Sequence, residues 1–146
     1  MCVIVDANVA SEVFRHRRPD FGPLLKWVED QGGKLIVGGQ LATELAKIGM
    51  VRAYLEELVR AGIAIRKSDS AIVAEESVVS GTRLCRSDDP HVIALARVSG
   101  ARILCSRDKK LHADFKNMHL VKPKGRVYQN RGHARVLHHD PCCAKP

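Results

Sequence analysis

The sequence predicts an α/β fold built on a parallel sheet, and three observations carry that expectation. Short apolar runs such as CVIVD and ARILCS alternate with segments whose apolar residues recur at i, i+3 and i+4. Parallel strands need a long crossover, usually a helix, so this alternation is their natural signature. Hydrophobic residues make up 45% of the 146, enough to cover such a sheet without disulfide staples.

The elements follow in order. CVIVD reads as a first strand, NVASEVFR as a short helix, and PDFGPLLKWVEDQ as a second helix with Pro19 near its start. GGKLIVGG is a strand framed by glycine turns. QLATELAKI and VRAYLEELVRA are amphipathic helices, with Gly49 and Gly62 as candidate stops. IAIRK is a third strand, and DSAIVAEESVVSG a helix with Asp69 as its N-cap. SDDPHVIALARVSG carries a full set of helix signals: acids at the start, Pro90 in the first turn and Gly100 past the end. ARILCS is a fourth strand, KKLHADF a short helix and HLVKP a final strand; RVYQN reads as a short edge strand. RGHARVLHHDPCCAKP has no periodic pattern and reads as loop. These signals divide the chain into one domain over residues 1–122 and a basic C-terminal tail over 123–146, of loop or partly disordered chain. Trp27 and Tyr54 fall on helices, where core or interface positions are expected.

Charged residues are 27% and the net charge is +8, which points to an anionic partner. The excess is uneven: from Lys122 onward there are six Lys or Arg against one acid, Asp140. No apolar run is long enough to span a bilayer, and no basic region precedes CVIV, so a cytoplasmic protein without a membrane partner is expected. The five cysteines, an odd number, argue against a disulfide framework; Cys2 and Cys105 sit in strand-like runs as small hydrophobes. His133, His138, His139, Cys142 and Cys143 resemble a zinc cluster in composition, but their spacing fits no standard finger.

The acids hold the functional signal. Asp6 ends the first strand, Glu44 follows the second, Asp88 and Asp89 open the DDPHVIALA helix, and Asp108 follows the fourth strand. In an open parallel sheet the carboxyl ends of the strands share one edge, and ligands bind there. Asp6, Glu44, Asp89 and Asp108 therefore converge, while Asp88 is read as a helix cap. Four carboxylates repel one another unless a cation neutralises them, and an all-oxygen donor set suits Mg²⁺ or Mn²⁺. Such ions activate water for phosphodiester hydrolysis. An aspartyl phosphatase would need a second acid where Asn8 stands, and a phospho-receiver domain would need an acid pair near Asp6; both fit poorly.

The ordered set VIVDANV, ATEL, SDDPHVIALA and LCSRDKKLHADF resembles the PIN-domain nucleases, which include the VapC-like toxins, from about Cys2 to Val121. By position Asp6, Glu44, Asp89 and Asp108 match the family's four acids, with Asp88 the alternative to Asp89. Asn8 matches the polar residue beside the first acid, and Ser106 the Ser or Thr of the S/T-x-D ending. The resemblance implies a three-layer α/β/α PIN-like fold. It implies a Mg²⁺- or Mn²⁺-dependent endoribonuclease, a toxin held by an antitoxin protein, and a homodimer. The four acids would ligate the metal, with Asn8 and Ser106 hydrogen-bonding the carboxylates. The alternatives are a housekeeping RNA-processing nuclease and a catalytically silent RNA- or partner-binding module. Arg15, Arg107, Lys109 and Lys110 flank the crevice and are the candidate contacts to RNA phosphates. His91 is read as a helix-surface residue.

Overall fold

The computed structural model describes residues 2–138. Among them, β1 (Cys2–Val5), β2 (Lys34–Val37), β3 (Ala64–Arg66), β4 (Ile103–Cys105) and β5 (Arg126–Tyr128) form an all-parallel sheet in the order β3-β2-β1-β4-β5. Helices cover both faces, giving three α/β/α layers. β1 lies in the middle, with Val3 opposite Ile103 and Val5 opposite Cys105 on one flank, and Val3 opposite Leu35 on the other. All four β1 residues are buried, which is why CVIV is apolar at every position rather than at alternate ones.

The chain steps from β1 to β2 to β3 on one side, then crosses back to β4 on the other. The gap between β1 and β4 is therefore the topological switch point, where ligands of such sheets bind. The first crossover holds α1 (Ala7–Ala10), a continuing π-helical stretch (Ser11–Arg15), a 3-10 turn (Pro19–Phe21) and α2 (Gly22–Asp30). The second holds α3 (Gly39–Ala46) and α4 (Val51–Arg60), and the third α5 (Asp69–Gly81) and α6 (Pro90–Ser99). α7 (Lys109–Phe115) links β4 to β5. No helix among the described residues is long and apolar enough to cross a membrane. Trp27 is buried in the core, and Tyr54 is half-buried with its hydroxyl on Glu29 Oε1 at 2.5 Å.

Gly38 and Gly39 set the entry to α3. Their φ angles are +157° and +57°, and a Cβ on Gly38 would lie 2.7 Å from Ile72 Cδ1. Only glycine lets the chain turn so sharply against α5. The N-cap of α5 is Ser68, whose hydroxyl accepts from Ala71 N; Asp69 instead accepts from Gly39 N at 3.0 Å. The expected Asp69 cap is thus corrected: its carboxylate ties α5 to that glycine turn. Gly100, at φ +80°, closes α6 in the left-handed conformation that its position predicts.

The larger corrections lie near the C-terminus. HLVKP is not a strand; its carbonyls at Leu120 and Lys122 accept from the Arg97 and Arg102 guanidinium groups. Residues 126–138 are built into the domain rather than trailing from it. β5 pairs with β4, and the Tyr128 side chain is fully buried with its hydroxyl donating to Asp20 O at 2.7 Å. A 3-10 helix, Arg131–His138, follows and buries Leu137. The rest of the expected tail, including His139, Cys142 and Cys143, lies outside the described residues.

Tyr128→Ala should therefore cost about 3–5 kcal/mol in urea unfolding, as for other buried aromatic truncations. An unchanged midpoint would mean that β5 does not belong to the cooperative unit.

Candidate functional site

The site is built outward from Asp6. Its backbone N–H still donates to Cys105 O at 2.9 Å, so β1 pairs with β4 right up to the carboxylate. Asp6 is only 5% exposed. Ser106, in the loop after β4, donates its hydroxyl to Asp6 Oδ2 at 2.8 Å. The same Oγ accepts from Asp108 N at 3.1 Å and from Asn8 Nδ2 at 3.4 Å. One small hydroxyl thus connects three of the residues singled out from the sequence. The His112 ring meets Ser106 O at 2.5 Å and steadies the loop from α7.

Asp108 combines two roles. Its Oδ1 caps α7, accepting from Lys110 N at 2.9 Å and Leu111 N at 3.3 Å. Its charge still reaches Asp89 across the crevice. Glu44, on α3, accepts from Gln40 Nε2 at 3.1 Å, a contact one helical turn long that orients the carboxylate.

Asp89 occupies the N-cap position of α6, yet its side chain caps nothing. Asp88, expected as the cap, is exposed and lies one residue before that N-cap position. The loop that presents Asp89 is held from below by Asp114, which sequence reading missed. This buried carboxylate accepts from Arg86 N at 2.9 Å, Ser87 N at 2.8 Å and the Cys85 thiol at 3.2 Å. Its position inside KKLHADF, between apolar neighbours, was the available signal.

Asp6 and Asp89 each feel other acids of the site. Burial holds the Asp6 carboxyl above the ordinary carboxylate range, opposed by hydrogen bonds from Ser106 and Ala7 and reinforced by the Glu44 charge. Asp89 is raised first by burial and then by the charges of Asp6, Glu44 and Asp108. His91 lowers both. It was expected on the helix surface, but it is 2% exposed and its Nε2 lies 3.7 Å from Glu44 Oε2. Ile93 and Val92 flank it in the core, so α6 turns nearly its whole circumference inward.

Among the described residues, no three acidic, histidine or cysteine side chains close into a ready-made cation cage. The carboxylates are gathered rather than converged on a point. Their chemistry nonetheless suits a divalent cation: all four offer oxygen, Asp89 is uncapped, and their mutual repulsion is what a cation relieves.

The expected phosphate contacts divide. Arg15, Lys109 and Lys110 are exposed. Arg107 is engaged by Glu12 through two contacts, at 2.6 and 2.8 Å. A second basic surface was not expected. A groove of about 680 Å³ between α3 and α4, at the β3 edge, is lined by Lys47, Arg52, Arg60 and Arg66 together with Leu55 and Val59. Lys47, three residues beyond Glu44 at the end of α3, lines this groove, but none of the four acids does. These cations are scattered over twenty residues of sequence, and only the packing of two helices on an edge strand brings them together.

Fold and site together define an α/β protein with a carboxylate cluster at its sheet's switch point. No protein-family model, no curated protein and no solved structure matches this chain.

The raised acids set the sign of a pH effect. Between the ordinary carboxylate pKa of about 4 and the higher native values, the folded protein binds more protons than the unfolded chain. Stability should therefore fall as pH rises through that window in metal-free protein. Asp6→Asn keeps an acceptor for Ser106 and removes the buried charge, so its melting temperature at neutral pH should exceed the wild-type value and its fall with pH should be shallower. A lower melting temperature in the variant would contradict this.

Proposed function

We propose that the protein is a metal-dependent endoribonuclease that hydrolyses RNA phosphodiester bonds. The observation that carries the reading is the electrostatic coupling of Asp6, Glu44, Asp89 and Asp108 at one crevice, with Asp6 buried at the end of the central strand. A structural acid cluster would be satisfied by arginines or amides; here the uncapped Asp89 and the raised carboxyls call for a cation.

In this reading the four acids hold Mg²⁺ or Mn²⁺, which when bound supplies an acidified water and neutralises charge at the phosphate. The chain's own residues do the positioning. Ser106 fixes the Asp6 carboxylate, Gln40 fixes Glu44, and Asn8 braces Ser106. Asp6, Asp89 and Asp108 would hold the ion, and Glu44 would help hold it or orient the attacking water. Lys109, Lys110 and Arg15 hold RNA phosphates at the mouth of the crevice. The groove lined by Lys47, Arg60 and Arg66 offers a further basic surface for the RNA backbone. Arg107, already paired with Glu12, braces the loop that carries Asp108 rather than serving as a free phosphate contact.

The biological setting that fits the motif pattern is the toxin of a toxin–antitoxin pair, acting in the cytoplasm as a homodimer. A housekeeping RNA-processing enzyme would use the same site. A small neighbouring gene whose product suppresses the chain's growth inhibition on co-expression supports the toxin; normal growth on expression of the active chain alone supports the housekeeping role.

The test is cleavage of a labelled RNA pool by purified protein. Cleavage should require Mg²⁺ or Mn²⁺, stop with EDTA and fall by at least about a hundredfold in Asp6→Asn, the scale of losing one charge-stabilising group. Metal-independent cleavage, or full activity in Asp6→Asn, would overturn the proposal.

A further inference from the structure

His91 is unexplained by a site made of carboxylates alone. It follows Pro90 in the first turn of α6, where Val92, Ile93, Ala94, Leu95 and Ala96 are all buried. Packing at such a position is met by an apolar side chain. Here an imidazole fills it, 2% exposed, and its Nε2 has no hydrogen-bond partner. A buried ring nitrogen left unpaired forfeits its hydration without compensation.

The nitrogen is nevertheless surrounded by the site's charges. It stands 3.7 Å from Glu44 Oε2. At 3.7 Å the Glu44 contact is too long to be a hydrogen bond. It matches the roughly 3–4 Å between two donors that each bind one ion at about 2.1 Å. Gln40 holds the other oxygen of Glu44, leaving Oε2 on the His91 side.

We infer that His91 Nε2 is a nitrogen ligand of the acid site, beside Glu44. The inference rests on the metal-site reading above and adds to it a choice of metal. A neutral imidazole adds a donor without adding charge to four crowded carboxylates. Mg²⁺ takes oxygen ligands, whereas Mn²⁺ and the later transition cations also accept imidazole. The site therefore favours Mn²⁺ over Mg²⁺, and His91 is the reason.

Pulsed EPR of Mn²⁺ added to the full chain tests this without reference to activity. The wild type should show ¹⁴N coupling from a coordinated imidazole, and His91→Gln should lose it. A Mn²⁺ titration should show affinity falling about tenfold or more in His91→Gln, on the scale of losing a ligand-sphere partner, while Mg²⁺ affinity changes far less. His91→Asn serves as the second variant if His91→Gln fails to fold, as judged by near-UV circular dichroism. Mn²⁺ bound to the wild type, released by Asp6→Asn but showing no ¹⁴N coupling, would overturn the role of His91 and leave the carboxylate site standing. Coupling that survives both His91 variants would assign the nitrogen to another histidine and overturn it equally. Wild-type protein that binds no Mn²⁺ would remove both this inference and the metal site beneath it.

Discussion

The hydrogen bond from Ser106 to Asp6 is the contact on which the site depends. It joins the loop after β4 to the end of β1, across the one place in the sheet where the chain's direction of travel reverses. A carboxylate so deeply buried is costly to keep ionised, and a hydroxyl donor offsets part of that cost. Because the same oxygen also accepts from Asn8 and from Asp108 N, it fixes the geometry of the whole loop. Remove it and three residues lose their common reference point.

Around that contact the protein accepts electrostatic strain. Glu44 and Asp89 are brought from different crossovers to face a buried acid; among the described residues no Lys or Arg forms a salt bridge with Asp6 or Asp89, and the basic side chain within the cluster is His91, 3.7 Å from Glu44. Structural acids in the same molecule are treated differently. Asp114 is saturated by backbone N–H groups, and Glu29 is bound by Arg17 and Tyr54. The contrast separates the two kinds of carboxylate: one kind holds the fold together, and the other is held in place by it at a cost in stability, as functional groups commonly are.

Much of this was legible in the sequence because it depends on short-range pattern. Strands buried on both faces must be apolar throughout, so CVIV, LIV and ILC stand out, and the acids that follow them are placed by topology alone. What escaped depends on tertiary contact. Ser68 and Asp69 are both good caps, and only the approach of the Gly38–Gly39 turn decides that Asp69 faces away. RVYQN has the composition of an edge strand, but nothing local says that Tyr128 reaches Asp20, more than a hundred residues earlier. His91 was misjudged for a similar reason. A histidine two residues from an acid looks solvent-facing until α6 proves to be enclosed by α3, α5 and the sheet. The basic groove has no sequence signature at all, since its arginines come from a helix and a strand that meet only in the fold.

The central claim is that the gathered carboxylates are a cation site, and thermal unfolding measures it most directly. A ligand that binds only the folded state stabilises it by an amount set by its concentration relative to its dissociation constant. The account predicts that millimolar Mn²⁺ raises the melting temperature of the wild-type chain above its value in EDTA, and that Asp6→Asn and Asp89→Asn show little or no rise. An identical melting temperature with Mn²⁺, Mg²⁺ and EDTA, or an equal rise in both variants, would contradict it.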